Sequence, residues 1–140
     1  MKASATAVIL LVRLAACGGS PPEQAHTTAE WARWLRAGWP GLQVVAVDEP
    51  KRVARAQVHH PAPGLRYAVG SFTPPGEEPL RLVRAMNLLR SYLEAEVRPA
   101  WETMGARLLP GGLLVEGSTD KPGSVLVAHL LRQHAGGLRE

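Results

Sequence analysis

Ala7-Val8-Ile9-Leu10-Leu11-Val12-Arg13-Leu14-Ala15-Ala16-Cys17-Gly18-Gly19-Ser20-Pro21 is the stretch whose reading decides the fold. It can be taken in two incompatible ways. Lys2, a short apolar run and small residues before a cysteine are the parts of a secretory leader. Leu14-Ala15-Ala16-Cys17 is then a bacterial lipidation box, and everything before Cys17 is removed. Alternatively, Val8 to Leu14 is a short β-branched and aliphatic run followed by the glycines at 18 and 19, as a strand buried on both faces reads. Cys17-Gly18-Gly19-Ser20 is then the turn that leaves that strand. Arg13 counts against the leader, because a fixed charge between the apolar run and the cleavage box opposes insertion.

The rest of the chain favours the strand. Downstream of two prolines, Thr27 with Glu30 three residues on is a capping-box signature. Trp31, Trp34 and Leu35 follow at helical spacing as an expected core face, before a stop at Gly38. Leu42 to Val47 is a second buried strand ending in Asp48-Glu49-Pro50, and Pro50 suits the first position of a helix running from Lys51 to Val58. Leu65 to Val69 alternates as a third strand and ends at Gly70-Ser71-Phe72. Thr73 to Pro79 is a surface loop, and Leu80 to Leu89 is a fourth strand running into a turn. A helix around Glu94–Leu109 carries Val97, Trp101, Met104 and Leu108 on one face, with Pro99 expected in its first turn. Leu109-Pro110-Gly111-Gly112 turns the chain into a fifth strand, Leu113 to Gly117. Val125 to Leu131 is a last apolar run of open type, and residues 132–140 are expected to fray.

Strands alternating with helices imply a mainly parallel sheet with helices on both faces. At 140 residues the chain fits one domain, since domains run to about 100–200 residues. A hydrophobic fraction of 46% is ample for a core. The net charge of +4 comes from scattered arginines rather than a dense basic run, so nothing resembles a nucleic-acid arm. One cysteine excludes a disulfide framework and a cysteine-rich zinc site. His59 and His60 are adjacent, so their side chains diverge, and no carboxylate stands near them in sequence; no metal is expected. No segment reaches the ~18 apolar residues of a membrane helix.

In an open α/β sheet, ligands bind at the carboxyl ends of the strands, near the point where strand order reverses. Three strand ends carry suitable residues. Gly18 and Gly19 allow close backbone approach, and Ser20 adds a hydroxyl. Asp48 can accept hydrogen bonds from both hydroxyls of a ribose. Ser71 and Phe72 can frame a purine, one by hydrogen bond and the other by ring contact.

Val83-Arg84-Ala85-Met86-Asn87-Leu88-Leu89-Arg90-Ser91-Tyr92, followed by a helix and then Leu109-Pro110-Gly111-Gly112-Leu113-Leu114-Val115-Glu116-Gly117, resembles the class I S-adenosylmethionine-dependent methyltransferases. Val45-Ala46-Val47-Asp48 is similar to the acidic strand end of that family. The resemblance spans roughly residues 7–118. It implies a Rossmann-like sheet, incomplete on its C-terminal side because the last helix and two strands of the family are absent or reduced to Val125–Leu131. It also implies S-adenosylmethionine as cofactor. Cys17, Gly18, Gly19 and Ser20 would surround the methionine part, Asp48 would hold the ribose, Ser71 and Phe72 would lie near the adenine, and Asn87 would lie by the sulfonium and the substrate. Leu14 and Ala16 depart from the pattern, standing where an acid and a glycine are expected. Asn87 lacks the Pro-Pro-aromatic continuation of enzymes that methylate base amino groups, which points to a small-molecule substrate. No residue stands out as a general base. This reading makes the chain cytoplasmic, a methyltransferase domain, a fragment of one or a non-catalytic remnant of that fold; the other makes it a membrane-anchored lipoprotein lipidated at Cys17.

Overall fold

The computed structural model describes residues 7–12, 21–120 and 124–140, with side chains from Thr28 onward. The elements are β1 (Ala7–Val12), α1 (Pro21–Gly38), β2 (Gln43–Asp48), α2 (Pro50–His59), β3 (Leu65–Val69), β4 (Leu80–Met86), α3 (Glu94–Gly105), β5 (Leu108–Thr119), β6 (Leu126–His134) and β7 (Gly137–Arg139). They build one seven-stranded sheet in the order β3-β2-β1-β4-β5-β6-β7. The five strands from β3 to β5 pair in parallel. β6 and β7 are added as an antiparallel meander. The fold class is therefore α/β with a mainly parallel sheet, as the alternation of the sequence implies.

Residues 7–12 are a strand in the middle of this sheet, paired with β2 on one side and β4 on the other. A chain cut before Cys17 would lack β1 and leave its two neighbours without a common partner. Among the described residues no helix is long and apolar enough to cross a membrane.

The pleat of β2 shows how the two faces are covered, because successive side chains of a strand point to opposite sides. Val44 and Ala46 pack with Ala32 of α1, Val53 and Ala56 of α2, and Tyr67 of β3. Val45 and Val47 belong to the other cluster, with Val83, Ala85, Leu114 and Leu131 of the sheet and Ala100 and Met104 of α3. Two helices therefore lie on one face and one on the other.

Several local expectations are corrected. The first helix begins at Pro21, so Thr27 lies inside it and is not its cap. Its buried stripe is Thr28, Ala29, Ala32 and Leu35, while Trp34 is 70% exposed and no part of the core. The sheet sits close under this helix, and alanines allow that approach where indoles would not. Trp31 is half-buried and lies under the guanidinium of Arg84, 5.7 Å from its ring centroid. β4 ends at Met86, three residues early. Helix α3 starts at Glu94, which puts Pro99 in the second turn, where it removes an i→i−4 bond. The start of α3 is fixed by the Leu93 amide, which donates to Glu96 Oε2 at 2.8 Å.

The Leu109–Gly112 segment is a bulge inside β5 rather than a turn before it. Leu80 is opposite Leu108 and Leu82 is opposite Leu113, so the extra residues loop out, with Gly111 at φ +80°. The terminal segment does not fray. β6 reverses at Ala135-Gly136 into β7, and Leu138 is 4% exposed against the α3 side of the core. It packs so closely on the helix that a Cβ on Gly105 would stand 2.8 Å from Leu138 Cδ1.

Candidate functional site

The strand order reverses between β1 and β4: β2 and β3 extend to one side, β4 and β5 to the other. At the carboxyl ends of the strands flanking this switch lies a cleft of about 410 Å³. Its volume is within the usual range for small-molecule sites, about 300–1,000 Å³. β2 contributes Val47, Asp48 and the following Glu49; the β3 exit contributes Gly70, Ser71 and Phe72; the segment after β4 contributes Leu88, Ser91 and Tyr92; α2 contributes Arg52. The strand between them is β1, and its exit, Cys17 to Ser20, lies outside the described residues.

Asp48 is held in place by the start of α2. Its Oδ1 accepts a hydrogen bond from the Glu49 amide at 2.7 Å, and Arg52 Nη1 stands 3.7 Å away. Arg52 also pairs with Glu49, Nε to Oε1 at 3.2 Å. Three charges are thus gathered at the N-terminus of a helix, whose dipole favours the two carboxylates. The Asp48 side chain is only 9% exposed, so its charge acts in a less screened setting than a surface carboxylate. The arrangement combines an acidic acceptor, a serine hydroxyl and a ring wall, which together suit a polyhydroxylated, planar ligand.

The β3 exit is anchored by the Gly70 amide, which donates to the Asp48 carbonyl at 3.1 Å. A Cβ at Gly70 would meet Val47 Cγ1 at 2.8 Å, so glycine lets the two strand ends lie this close. Phe72 packs against the core from the cleft side and meets the Tyr92 ring at 5.3 Å between centroids, tilted 59°. The separation lies within the about 4.5–7 Å range at which aromatic pairs attract. The pair joins the β3 exit to the segment after β4 across the cleft.

Asn87 has a different place from Asp48, Ser71 and Phe72. It adopts φ +60°, a left-handed conformation that asparagine tolerates better than most residues. Its amide N–H donates to the Gly117 carbonyl at 2.7 Å. Its side-chain Oδ1 accepts from the Thr119 amide at 2.8 Å, and Nδ2 donates to Thr119 Oγ1 at 3.3 Å. Asn87 therefore clasps the end of β4 to the end of β5, and Leu88, next in the chain, lines the cleft.

Arg52, Ser91 and Tyr92 were not singled out from the sequence. The signal for Arg52 was its position four residues after Asp48 in a helix opening at Pro50. Tyr92 had no such signal, because nothing local shows that the segment after β4 folds back onto Phe72. His59 and His60 lie at the far end of α2, their rings 6.4 Å apart. Among the described residues no group of three or more His, Cys, Asp or Glu could hold a metal. Glu116, buried on β5, accepts from Trp101 Nε1 at 3.3 Å and lies outside the cleft.

No protein-family model matches this chain, and no curated protein sequence does. Solved structures do match. LepI in complex with SAM superposes with a TM-score of 0.57 at 16% identity, over 83% of this chain and 28% of LepI. Human N-acetylserotonin methyltransferase in complex with SAM gives 0.55 at 16% identity, over 85% of this chain and 32% of the enzyme. An S-adenosylmethionine-dependent methyltransferase from Mesorhizobium loti gives 0.52 at 18% identity, over 81% and 46%. At these identities the likeness establishes a shared fold. The chain spans less than half the length of each of these proteins.

Proposed function

We propose that this chain is an S-adenosylmethionine-binding domain of the methyltransferase type, acting on a small molecule. The observation that carries the reading is the cleft at the switch point of a parallel sheet, with Asp48 closing β2 and Ser71 and Phe72 following β3. The residues fit such a cofactor: a carboxylate for the ribose hydroxyls, and a serine and a phenyl ring beside the adenine. Solved proteins of this fold include two complexes described as containing SAM, which supports the same ligand. A neighbour in complex with apigenin supports a small-molecule substrate.

Bound S-adenosylmethionine would supply a methyl group already activated on a sulfonium, so the protein's part is alignment and exclusion of water. In this reading Asp48 orients the ribose, with Arg52 holding the carboxylate. The Phe72–Tyr92 pair shields one side of the ligand. Asn87 acts on the cofactor and substrate by fixing the segment after β4, and Cys17, Gly18, Gly19 and Ser20 complete the methionine end. Because one protein of this fold is described as a pericyclic reaction enzyme, fold alone does not define the reaction.

Titration of the chain with S-adenosylhomocysteine in a calorimeter, with thermal denaturation alongside, tests the proposal. Binding heat and a ligand-dependent rise in melting temperature are expected. A folded protein showing neither at millimolar ligand would refute it.

A further inference from the structure

We infer that the outer face of α1 and α2 docks on the surface of an anionic lipid bilayer, with Trp34, Trp39 and Val58 entering the headgroup layer and Arg33, Lys51 and Arg55 meeting the lipid phosphates. The charge of the chain is gathered on this side. Residues 31–72 hold six Lys or Arg and two Asp or Glu, a net of +4, which is the net charge of the whole chain. The stretches before and after are neutral, each with as many acids as bases. Both acids of the basic stretch, Asp48 and Glu49, are already engaged by Arg52. Among the described residues Arg33, Arg36, Lys51 and Arg55 have no carboxylate partner.

Helix periodicity puts these groups on one surface. Residues two positions apart on a helix stand about 200° apart around its axis, so a side chain two positions from a buried one points to solvent. Trp34 is two beyond buried Ala32, Lys51 and Arg55 stand two on either side of buried Val53, and Val58 is two beyond buried Ala56. Each helix returns between parallel strands, so both run the same way and end at the same edge of the sheet. There Arg33 Nη2 donates to the Pro61 carbonyl, just beyond α2, at 3.3 Å. Arg36 donates to the Leu42 carbonyl in the turn after α1. Trp39 belongs to that turn, its amide donating to the Leu35 carbonyl at 3.0 Å. Trp34, Trp39 and Val58 are 70%, 65% and 74% exposed, so three large apolar side chains project beside the cations. Glu30 lies a turn before Trp34, toward the other end of α1.

A bilayer surface matches both halves of this chemistry. Tryptophan, an apolar body with one N–H, suits the layer between headgroups and acyl chains. Lys and Arg lay their stems along apolar surface while their charged heads stay at the phosphates. Nucleic acid fits less well, because a strand tracks a basic groove and stacks on rings. Two helices side by side present ridges, and Val58 has no ring to offer. The apolar anchor lies at the C-terminal ends of the helices, whereas the cleft lies where α2 begins, at Asp48 and Arg52. Docking therefore leaves the cleft open, and membrane binding is independent of the cofactor reading.

Co-sedimentation of the chain with vesicles of phosphatidylserine and phosphatidylcholine in equal parts tests this. Binding is expected, with a blue shift of tryptophan emission as Trp34 and Trp39 leave water, and little binding to phosphatidylcholine alone. A cation at an anionic leaflet strengthens binding about five-fold, so Lys51→Gln and Arg55→Gln together should weaken it about 30-fold. Trp34→Ser should weaken it about 10-fold and reduce the blue shift, as expected when one large apolar side chain no longer leaves water. Circular dichroism verifies that each variant is folded. A folded wild-type chain that ignores the phosphatidylserine vesicles overturns the proposal, as do variants that bind like wild type. Equal binding to phosphatidylcholine alone would overturn the part given to the cations. Tighter binding to single-stranded RNA than to the vesicles, lost in the Lys51 and Arg55 variant, would assign the face to nucleic acid and overturn the bilayer.

Discussion

Asp48→Asn is the sharpest probe of the cleft. Asparagine keeps the carbonyl oxygen that accepts from the Glu49 amide at 2.7 Å, so the β2–α2 junction is preserved. What is lost is the negative charge and one of the acceptor groups. A hydrogen bond to a charged group contributes about 1.5–3 kcal/mol. At about 1.4 kcal/mol per decade, affinity for S-adenosylhomocysteine should fall roughly 10- to 150-fold. The same substitution removes the 3.7 Å pairing with Arg52. Such a partly exposed pair contributes at most about 1 kcal/mol to stability, so the unfolding free energy should barely change. Calorimetric titration gives the affinity, and urea denaturation of the unliganded protein gives the stability. A folded Asp48→Asn protein that binds within about two-fold of wild type would refute a ribose-holding role for this residue. A large loss of stability would instead make Asp48 structural.

Two further outcomes follow from the packing. Leu138→Ala should cost about 2–5 kcal/mol in urea denaturation, as expected for a buried leucine; a cost under about 0.5 kcal/mol would mean that the last segment is frayed after all. Tyr67 has its phenol pushed above the ordinary value of 10.0, by burial first, with the Arg33 charge acting in the opposite direction. The folded state thus binds the phenolic proton more tightly than the unfolded chain. That contribution is fully present below pH 10.0 and is lost as pH rises through the folded value. Tyr67→Phe should remove this part of the alkaline stability loss, at a neutral-pH cost of about 1 kcal/mol for the bond to the His60 carbonyl. An unchanged alkaline profile would show that the phenol does not titrate with unfolding.

The corrections fall where tertiary contact overrules a local rule. A capping box at Thr27 and a tryptophan stripe were locally reasonable. Yet the helix starts at Pro21, and its buried stripe is set by how near it lies to the sheet, which selects Ala29 and Ala32 over Trp34. Residues 132–140 read as a loose tail. Leu138 fills a space that only the packing of α3 on the sheet creates.

The sequence by itself determined the α/β alternation, the Asp48 end of β2 and the Ser71-Phe72 end of β3. All of these rest on periodicity and on chain-breaking residues, which are local properties. The tertiary structure alone decided that Ser91 and Tyr92 share a cleft with Asp48, and that Asn87 spends its amide on Thr119. These depend on strand order and register, which bring together residues as distant as Asn87 and Thr119, 32 positions apart in the chain. No local window contains both partners. For the opening stretch, the sheet decided what its own residues left open: Ala7–Val12 forms a central strand because β2 and β4 both pair with it.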